Sequence, residues 1–376
     1  MRIGIDATAL PPQPMGAGNY IIQLVRALAA ANFDIQLVIF AQKKSPALIN
    51  LPEGTPVEWR IVEDMPPGSR LIWEQTRLPN LVHSTKVDLF HSLHYTRPLL
   101  RLPCASVVTF HDMTFFLFPQ LHTWARRLFF PTAMRISARQ ADAIITVSES
   151  TRQDAIRLLA IDPGKIFTTQ LGVDPSFRTI SDLGEKSRVI AKYNLPERFI
   201  LYLGTIEPRK NLPVLIRAYR QLVNNGTSHK LVLVGKYGWM YEDVLDLVDE
   251  LGLEDRVCFA GYVPQDDLPL VYNLASLFVY PTIYEGFGLP ALEAMACGVP
   301  VITSQIASLP EIVGDAGILI PVNNVEALSE AMSRVLDDSA LREKLINDGQ
   351  LRAKTFSWER TAQLTWQVYM QVMKSS

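Results

Sequence analysis

Two glutamates bracket a tight turn in the stretch YEGFGLPALEAMACGVPVIT, residues 284–303, with Glu285 before the turn and Glu293 beyond it. A carboxylate accepts hydrogen bonds and can take two from a vicinal diol, each worth about 1.5–3 kcal/mol. The glycines either side of Phe287 cost backbone entropy, which is best repaid if a ligand comes against the main chain. Pro290 suits a first helical turn and Gly298 its stop, so Phe287, Gly288 and Leu289 present N–H groups at a helix start, an anion cradle. Upstream, LYLGTIEPRKNLPVLIRAY sets Arg209 and Lys210 between a strand and a helix begun by Asn211, where paired cations suit a diphosphate leaving group. A carboxylate would repel that phosphate by up to ~4 kcal/mol at 4 Å and an effective dielectric of 20. The acids are therefore read as gripping neutral sugar hydroxyls and the bases as holding the anion, which is the layout of a nucleotide sugar. The plainer readings are helix-start glutamates, favourable by ~0.3–1 kcal/mol, and solvated surface cations.

Three further segments carry chemistry. PPQPMGAGNYIIQLVRAL follows the first strand, and its Gly16 and Gly18 at a helix N-terminus form a weak phosphate loop or serve only a turn. The spacing is not that of a dinucleotide fingerprint, and no acid follows the second strand where a ribose partner belongs. ASVVTFHDM ends a strand at His111, whose neutral imidazole could bond a hexose hydroxyl and steady positive charge at the anomeric carbon; the alternative is a packed strand-end histidine. Asp112 either caps the next turn or orients that ring. HTWARRLFFPTAMRISAR, 122–139, holds four arginines and no acid. Its Arg126, Arg127, Phe129 and Phe130 suit an acceptor or an anionic membrane surface, or else the aromatics pack into their own domain.

These segments need elements to position them. Thirteen β-rich runs, from RIGID to GILIPV, alternate with amphipathic stretches such as NLPVLIRAYRQLV. Strands apolar on both faces between helices predict parallel sheets wound on both sides, and the pattern occurs twice. A chain of 376 residues likewise exceeds one core. The fold class is α/β, two Rossmann-like domains facing across a cleft, with ligands beyond the carboxyl ends of the strands. Residues 1–175 form the acceptor-side domain and 176–360 the nucleotide-sugar domain, with a helix over 361–376 returning to the first. The aperiodic stretch 172–187 is the linker candidate. Residues 1–180 hold 18 basic against 14 acidic side chains and the remainder 18 against 24, too slight an imbalance for nucleic-acid binding. Cys104, Cys258 and Cys297 show neither paired nor zinc-ligand spacing. With no signal-peptide core and no apolar run of ~18 residues, a cytoplasmic protein is expected.

Taken together, Glu285 and Glu293 with seven residues between resemble the Glu-x7-Glu motif of retaining family 4 glycosyltransferases of GT-B fold. The resemblance extends through TFHDMTFFLFP, VSESTRQD, LGVDPSF, GTIEPRKNL, VGKYGW, GYVPQDDLPLVY and SLPEIVGDAG, and is strongest to bacterial O-antigen and exopolysaccharide mannosyltransferases. It implies that Glu285 contacts the transferred sugar, Phe287, Gly288 and Leu289 offer main-chain donors, and Glu293 holds the ribose. Arg209 and Lys210 would neutralise the diphosphate, Gly18 would approach it from the other domain, Val263 would meet the base, and His111 would sit by the reacting sugar. Thr205 stands where some members carry arginine, which leaves the charge to Arg209 and Lys210. The donor implied is GDP-mannose, with UDP-glucose, UDP-N-acetylglucosamine or a dTDP-sugar open. The acceptor implied is a saccharide, lipid-linked, reached at the inner face of the plasma membrane. No Asp-x-Asp occurs, so no metal and no separate cofactor are expected. The rivals are a retaining glycosidase, which needs its carboxyls ~5–5.5 Å apart, a sugar-nucleotide epimerase of like architecture, and a sensor that binds nucleotide sugar without turnover.

Overall fold

Every strand pairing between named strands is parallel, as doubly buried strands joined by helices require. The computed structural model describes residues 1–375. In chain order the first sheet comprises β1 (Arg2–Asp6), β2 (Gln36–Gln42), β3 (Val57–Val62), β4 (Leu89–Ser92), β5 (Ala105–Phe110), β6 (Ala143–Thr146) and β7 (Ile166–Thr168). The second comprises β8 (Phe199–Leu203), β9 (Lys230–Val234), β10 (Val257–Gly261), β11 (Leu277–Tyr280), β12 (Val301–Ser304) and β13 (Ile318–Ile320). Each β-rich run read from the sequence carries one of these strands.

The strand orders are β3-β2-β1-β4-β5-β6-β7 and β10-β9-β8-β11-β12-β13. In both sheets the order reverses beside the first strand, between β1 and β4 and between β8 and β11. Crossovers leave such a switch point in opposite directions, which opens a crevice at the carboxyl edge. Asp6 pairs with Phe40 on one side and Ser92 on the other, so β1 ends level with both neighbours. The loop after β1 carries Gly16 and Gly18, while Arg209 and Lys210 follow β8 and Glu285 follows β11. Those segments therefore flank the two switch points.

The chain divides into two compact units, Met1–Gly172 with the segment from Ser357, and Val173–Phe356. The chain enters and leaves the second unit side by side, since the Val173 amide donates to the Phe356 carbonyl at 3.2 Å. Gly172 must be glycine, because a Cβ there would lie 2.2 Å from the Trp358 nitrogen. Inside the aperiodic stretch 172–187 a helix, Leu183–Tyr193, already begins, because Asp182 accepts from the Glu185 amide at 3.0 Å and caps it.

The last helix, Trp358–Ser375, belongs to the first unit and buries Tyr369 completely. There the Tyr369 hydroxyl meets His91 Nδ1 at 2.7 Å, and Trp366 stacks on Phe33 with centroids 5.0 Å apart. His91 is fully buried, and its other nitrogen meets Thr109 Oγ1 at 2.8 Å. Tyr369→Phe removes the only partner of His91 Nδ1 and should cost about 1–3 kcal/mol. A lowered urea midpoint for the first unit checks this, and an unchanged midpoint would show the bond to contribute nothing.

Candidate active site

Glu285 lies in the loop between β11 and the helix Leu289–Ala296. Four groups converge on its Oε1: Arg209 donates at 2.8 Å, Lys210 Nζ at 2.5 Å and the Tyr280 hydroxyl at 2.9 Å, with the Thr282 hydroxyl 3.2 Å away. Burial alone would push the Glu285 carboxyl up, but Arg209 and Lys210 outweigh it and hold it at about 2. Lys210 is itself buried, and burial with the nearby Arg209 charge moves its ammonium below its usual range while Glu285 opposes the shift. Arg209 also pairs with Glu207 at 2.9 Å, so two acids and two bases form one compensated cluster. With no ligand bound, both predicted diphosphate-binding cations are thus occupied by the predicted sugar-binding carboxylate.

The local chain explains this placement. Pro208–Lys210 form a short 3-10 turn that ends at Asn211 in a left-handed conformation, φ 57°. Asn211 Nδ2 donates to the Pro281 carbonyl at 3.0 Å, and the Ile283 amide donates to the Arg209 carbonyl at 3.0 Å. The two loops that flank the β8–β11 switch point are thereby laced together. Ser308 donates to the Phe287 carbonyl at 2.7 Å and pins the far side of the turn.

Gly288 has φ 107°, and a Cβ there would meet Leu309 at 2.7 Å. Backbone conformation and packing both favour glycine at this position. Gly18 is similar: Pro11 and Pro14 crowd the position of its missing Cβ at 3.2 Å, and its amide already donates to the Met15 carbonyl at 2.9 Å. Gly16 adopts φ 51° at the helix start.

Glu293, one helical turn further on, is buried and accepts from the Tyr272 hydroxyl at 3.0 Å. Phe287 is buried against Phe356, and Val263 is buried beside the partly exposed Tyr262. Thr205 lies half-buried at the end of β8.

In the first unit His111 lies just beyond β5, and its Nε2 sits 2.8 Å from the Leu93 carbonyl. A carbonyl only accepts, so Nε2 carries the proton and Nδ1 keeps its lone pair. Burial lowers the His111 imidazole below its usual range, so it is neutral near pH 7. Tyr20 packs edge-on to it at 4.9 Å and shares Thr109 with His91. Asp112 does not touch the ring through any recorded bond. It caps the next turn, accepting from the Thr114 amide at 2.9 Å, and takes the Tyr95 hydroxyl at 2.7 Å.

A cavity of about 780 Å³ opens beside these residues, lined by Thr8, His94, Tyr95, Arg126, Phe129 and Phe130 among others. His94 Nδ1 is buried there with no hydrogen-bond partner. Phe130 belongs to the core and stacks on Phe115 at 4.2 Å, so it offers nothing to a membrane. The apolar side chains that the helix Trp124–Gln140 exposes are Trp124 and Leu128, and Arg127 is tied to the His122 and Gln120 carbonyls.

Sequence reasoning missed Tyr280, Thr282, Ser308 and Tyr272, which hold the two glutamates, and His94 and Tyr95 in the cavity. One signal was available: tyrosine at the carboxyl end of the otherwise apolar LFVY strand needs a partner for its hydroxyl once buried.

Burial pushes the Glu293 carboxyl from 4.5 up to about 7, the Asp174 charge adds to the rise, and the Tyr272 hydrogen bond opposes it. A carboxyl with its folded pKa above the unfolded one binds more protons when folded, so its stabilising contribution is complete below 4.5 and lost as pH rises through about 7. Glu293→Gln removes that loss. The variant should gain about 3 kcal/mol on the parent between pH 5 and pH 8 in urea titrations. Parallel curves across that range would mean Glu293 titrates normally.

Comparison with known proteins agrees with this anatomy. Residues 185–352 match the family "Glycosyl transferases group 1", and residues 14–177 match "Glycosyltransferase Family 4". The O-antigen chain mannosyltransferase B of Escherichia coli is 35% identical over 371 residues, 94% of this chain and 95% of its own. A sucrose-phosphate synthase from Thermosynechococcus elongatus superposes with TM-score 0.78 at 26% identity, over 100% of both chains. Anabaena HepE, crystallised with UDP and glucose, shares the fold with TM-score 0.76 at 20% identity, over 98% of this chain and 99% of its own. With a family 4 region before a group 1 region, each built on a doubly wound parallel sheet, the chain belongs to the GT-B glycosyltransferases.

Proposed function

We propose that this glycosyltransferase moves mannose from GDP-mannose to a saccharide acceptor, with retention of anomeric configuration, in the assembly of a bacterial surface polysaccharide. The observation that carries the reading is the Glu285–Arg209–Lys210 cluster at a switch point, the position at which open parallel sheets take ligands. The sugar follows the 35% identical relative, itself named an O-antigen chain mannosyltransferase.

The cluster suggests how donor binding proceeds. An entering diphosphate competes with Glu285 for Arg209 and Lys210, and the released carboxylate takes hexose hydroxyls in their place. Recognition of anion and sugar would then be one exchange of partners rather than two independent events. Glu293 would take the ribose hydroxyls, Phe287, Gly288 and Leu289 the diphosphate edge through their amides, and Val263 the base. Gly16, Gly18 and Thr205 would border the phosphates. Stabilisation of the departing diphosphate falls to Arg209 and Lys210 and needs no metal. The lone pair on His111 Nδ1 would accept a hexose hydroxyl and face the charge that develops at the anomeric carbon. In the front-face course the departing phosphate oxygen removes the acceptor's proton, so no protein nucleophile is required.

The acceptor is assigned to the first-unit cavity, whose aromatic wall and polar floor suit a saccharide. No helix among the described residues is long and apolar enough to cross a membrane. Contact with a lipid-linked acceptor at the inner face of the plasma membrane would run through Trp124 and Leu128, 76% and 68% exposed, with Arg126 beside them. Flotation with anionic liposomes should recover the protein at low salt and lose it at high salt. Recovery that Trp124→Ser with Leu128→Ser leaves unchanged would refute this surface.

Lys210→Ala should lower turnover of GDP-mannose by about 30- to 1000-fold, the equivalent of ~2–4 kcal/mol of lost anion stabilisation. Glu285→Ala should lower it comparably while GDP affinity stays within a few-fold, because the carboxylate competes with the diphosphate and does not bind it. Radiolabel transfer to acceptor and GDP titration measure the two, and normal transfer by both variants would remove the assignment.

A further inference from the structure

The donor reading above, on which this inference rests, gives the base the apolar Val263 but no polar side-chain partner. β8, β9 and β10 are neighbours in the second sheet, and their carboxyl ends lead into Thr205, Lys236 and Tyr262 respectively. Backbone bonds knit the three ends. The Ile206 amide donates to the Lys236 carbonyl at 2.9 Å, the Gly238 amide to the Ile206 carbonyl at 2.9 Å, and the Gly235 amide to the Gly261 carbonyl at 2.8 Å. Neighbouring strands lie about 4.8 Å apart, so Tyr262 stands on the order of 10 Å from the strand that delivers Arg209 and Lys210. That is the distance a ribose and base cover from their diphosphate.

At this edge the Lys236 ammonium lies 4.6 Å from the centroid of the Tyr262 ring, which is 37% exposed. The ammonium sits over the ring, so a base stacked offset on the rest of that face, with centroids about 4.5–7 Å apart, meets it at an edge. An ammonium only donates. Guanine and hypoxanthine present two adjacent acceptors, N7 and O6, along one edge; adenine puts a donor amine beside N7. Tyr237, Trp239 and Met240 are exposed in the segment that follows Lys236.

We propose that Lys236 and Tyr262 form a base-selecting pair, with the ring stacking the base and the ammonium reading a six-oxo purine against adenine. Calorimetric titration of the full chain with GDP, IDP, ADP and UDP tests this. GDP and IDP should each bind at least tenfold tighter than ADP. Lys236→Met, which keeps the apolar stem, should abolish most of that difference by weakening GDP and IDP alone. Equal affinity of the parent protein for IDP and ADP overturns the pair, and that comparison needs no variant. Equal weakening of all four ligands by Lys236→Met also overturns it, because the ammonium is then a general counter-charge. Failure of all four to bind the parent overturns the donor reading together with the pair.

Discussion

Burial would push the Glu285 carboxyl toward neutrality, and the nearness of Arg209 and Lys210, with the Tyr280 hydroxyl, keeps it charged. The loops after β8 and β11 have to stay in register for that balance to hold. Asn211 reaches to Pro281, the Ile283 amide reaches to Arg209, and Ser308 closes the turn behind. A buried ion pair of this kind is weak evidence of added stability, because desolvation consumes most of the attraction. Its value lies in fixing geometry. Charges held by one another in a site short of water are already oriented, and a ligand that offers better partners inherits that orientation without reorganising the protein.

The first unit solves the same difficulty without charge. His91, His94 and His111 are all moved toward the neutral form, chiefly by burial. The Tyr369 and Thr109 hydroxyls serve both nitrogens of His91, and the Leu93 carbonyl serves His111 Nε2. His94 Nδ1 is buried with no hydrogen-bond partner among the described residues, and His94 lines the cavity. One unit thus presents opposed charges and the other uncharged donors and acceptors.

Much of this was readable from residue order. Periodicity located every strand because doubly buried strands are continuous apolar runs, and Pro290 and Gly298 bounded the helix Leu289–Ala296 for local steric reasons. The pairing of Glu285 with both Arg209 and Lys210 was not readable. It depends on which strands become neighbours, and adjacency of β8 to β11 is a property of topology with no local signature. The packing of Leu309 against Gly288 was unreadable for a related reason, since Leu309 is distant in the chain and only the fold brings it close. Asp112 was open between two roles, and the capping role holds because Leu93 already supplies the imidazole's partner.

The last helix, Trp358–Ser375, has a consequence for biogenesis. A ribosome completes the seventh strand at Thr168, yet the helix that closes over His91 and Thr109 emerges roughly 190 residues later. At ~5–20 residues per second that interval is on the order of 10–40 s. Over that interval the second unit, Val173–Phe356, is synthesised, while the first waits for the helix that brings Tyr369 to His91. The first unit, begun first, is therefore closed last, and His91 lacks its Tyr369 partner until the helix Trp358–Ser375 emerges.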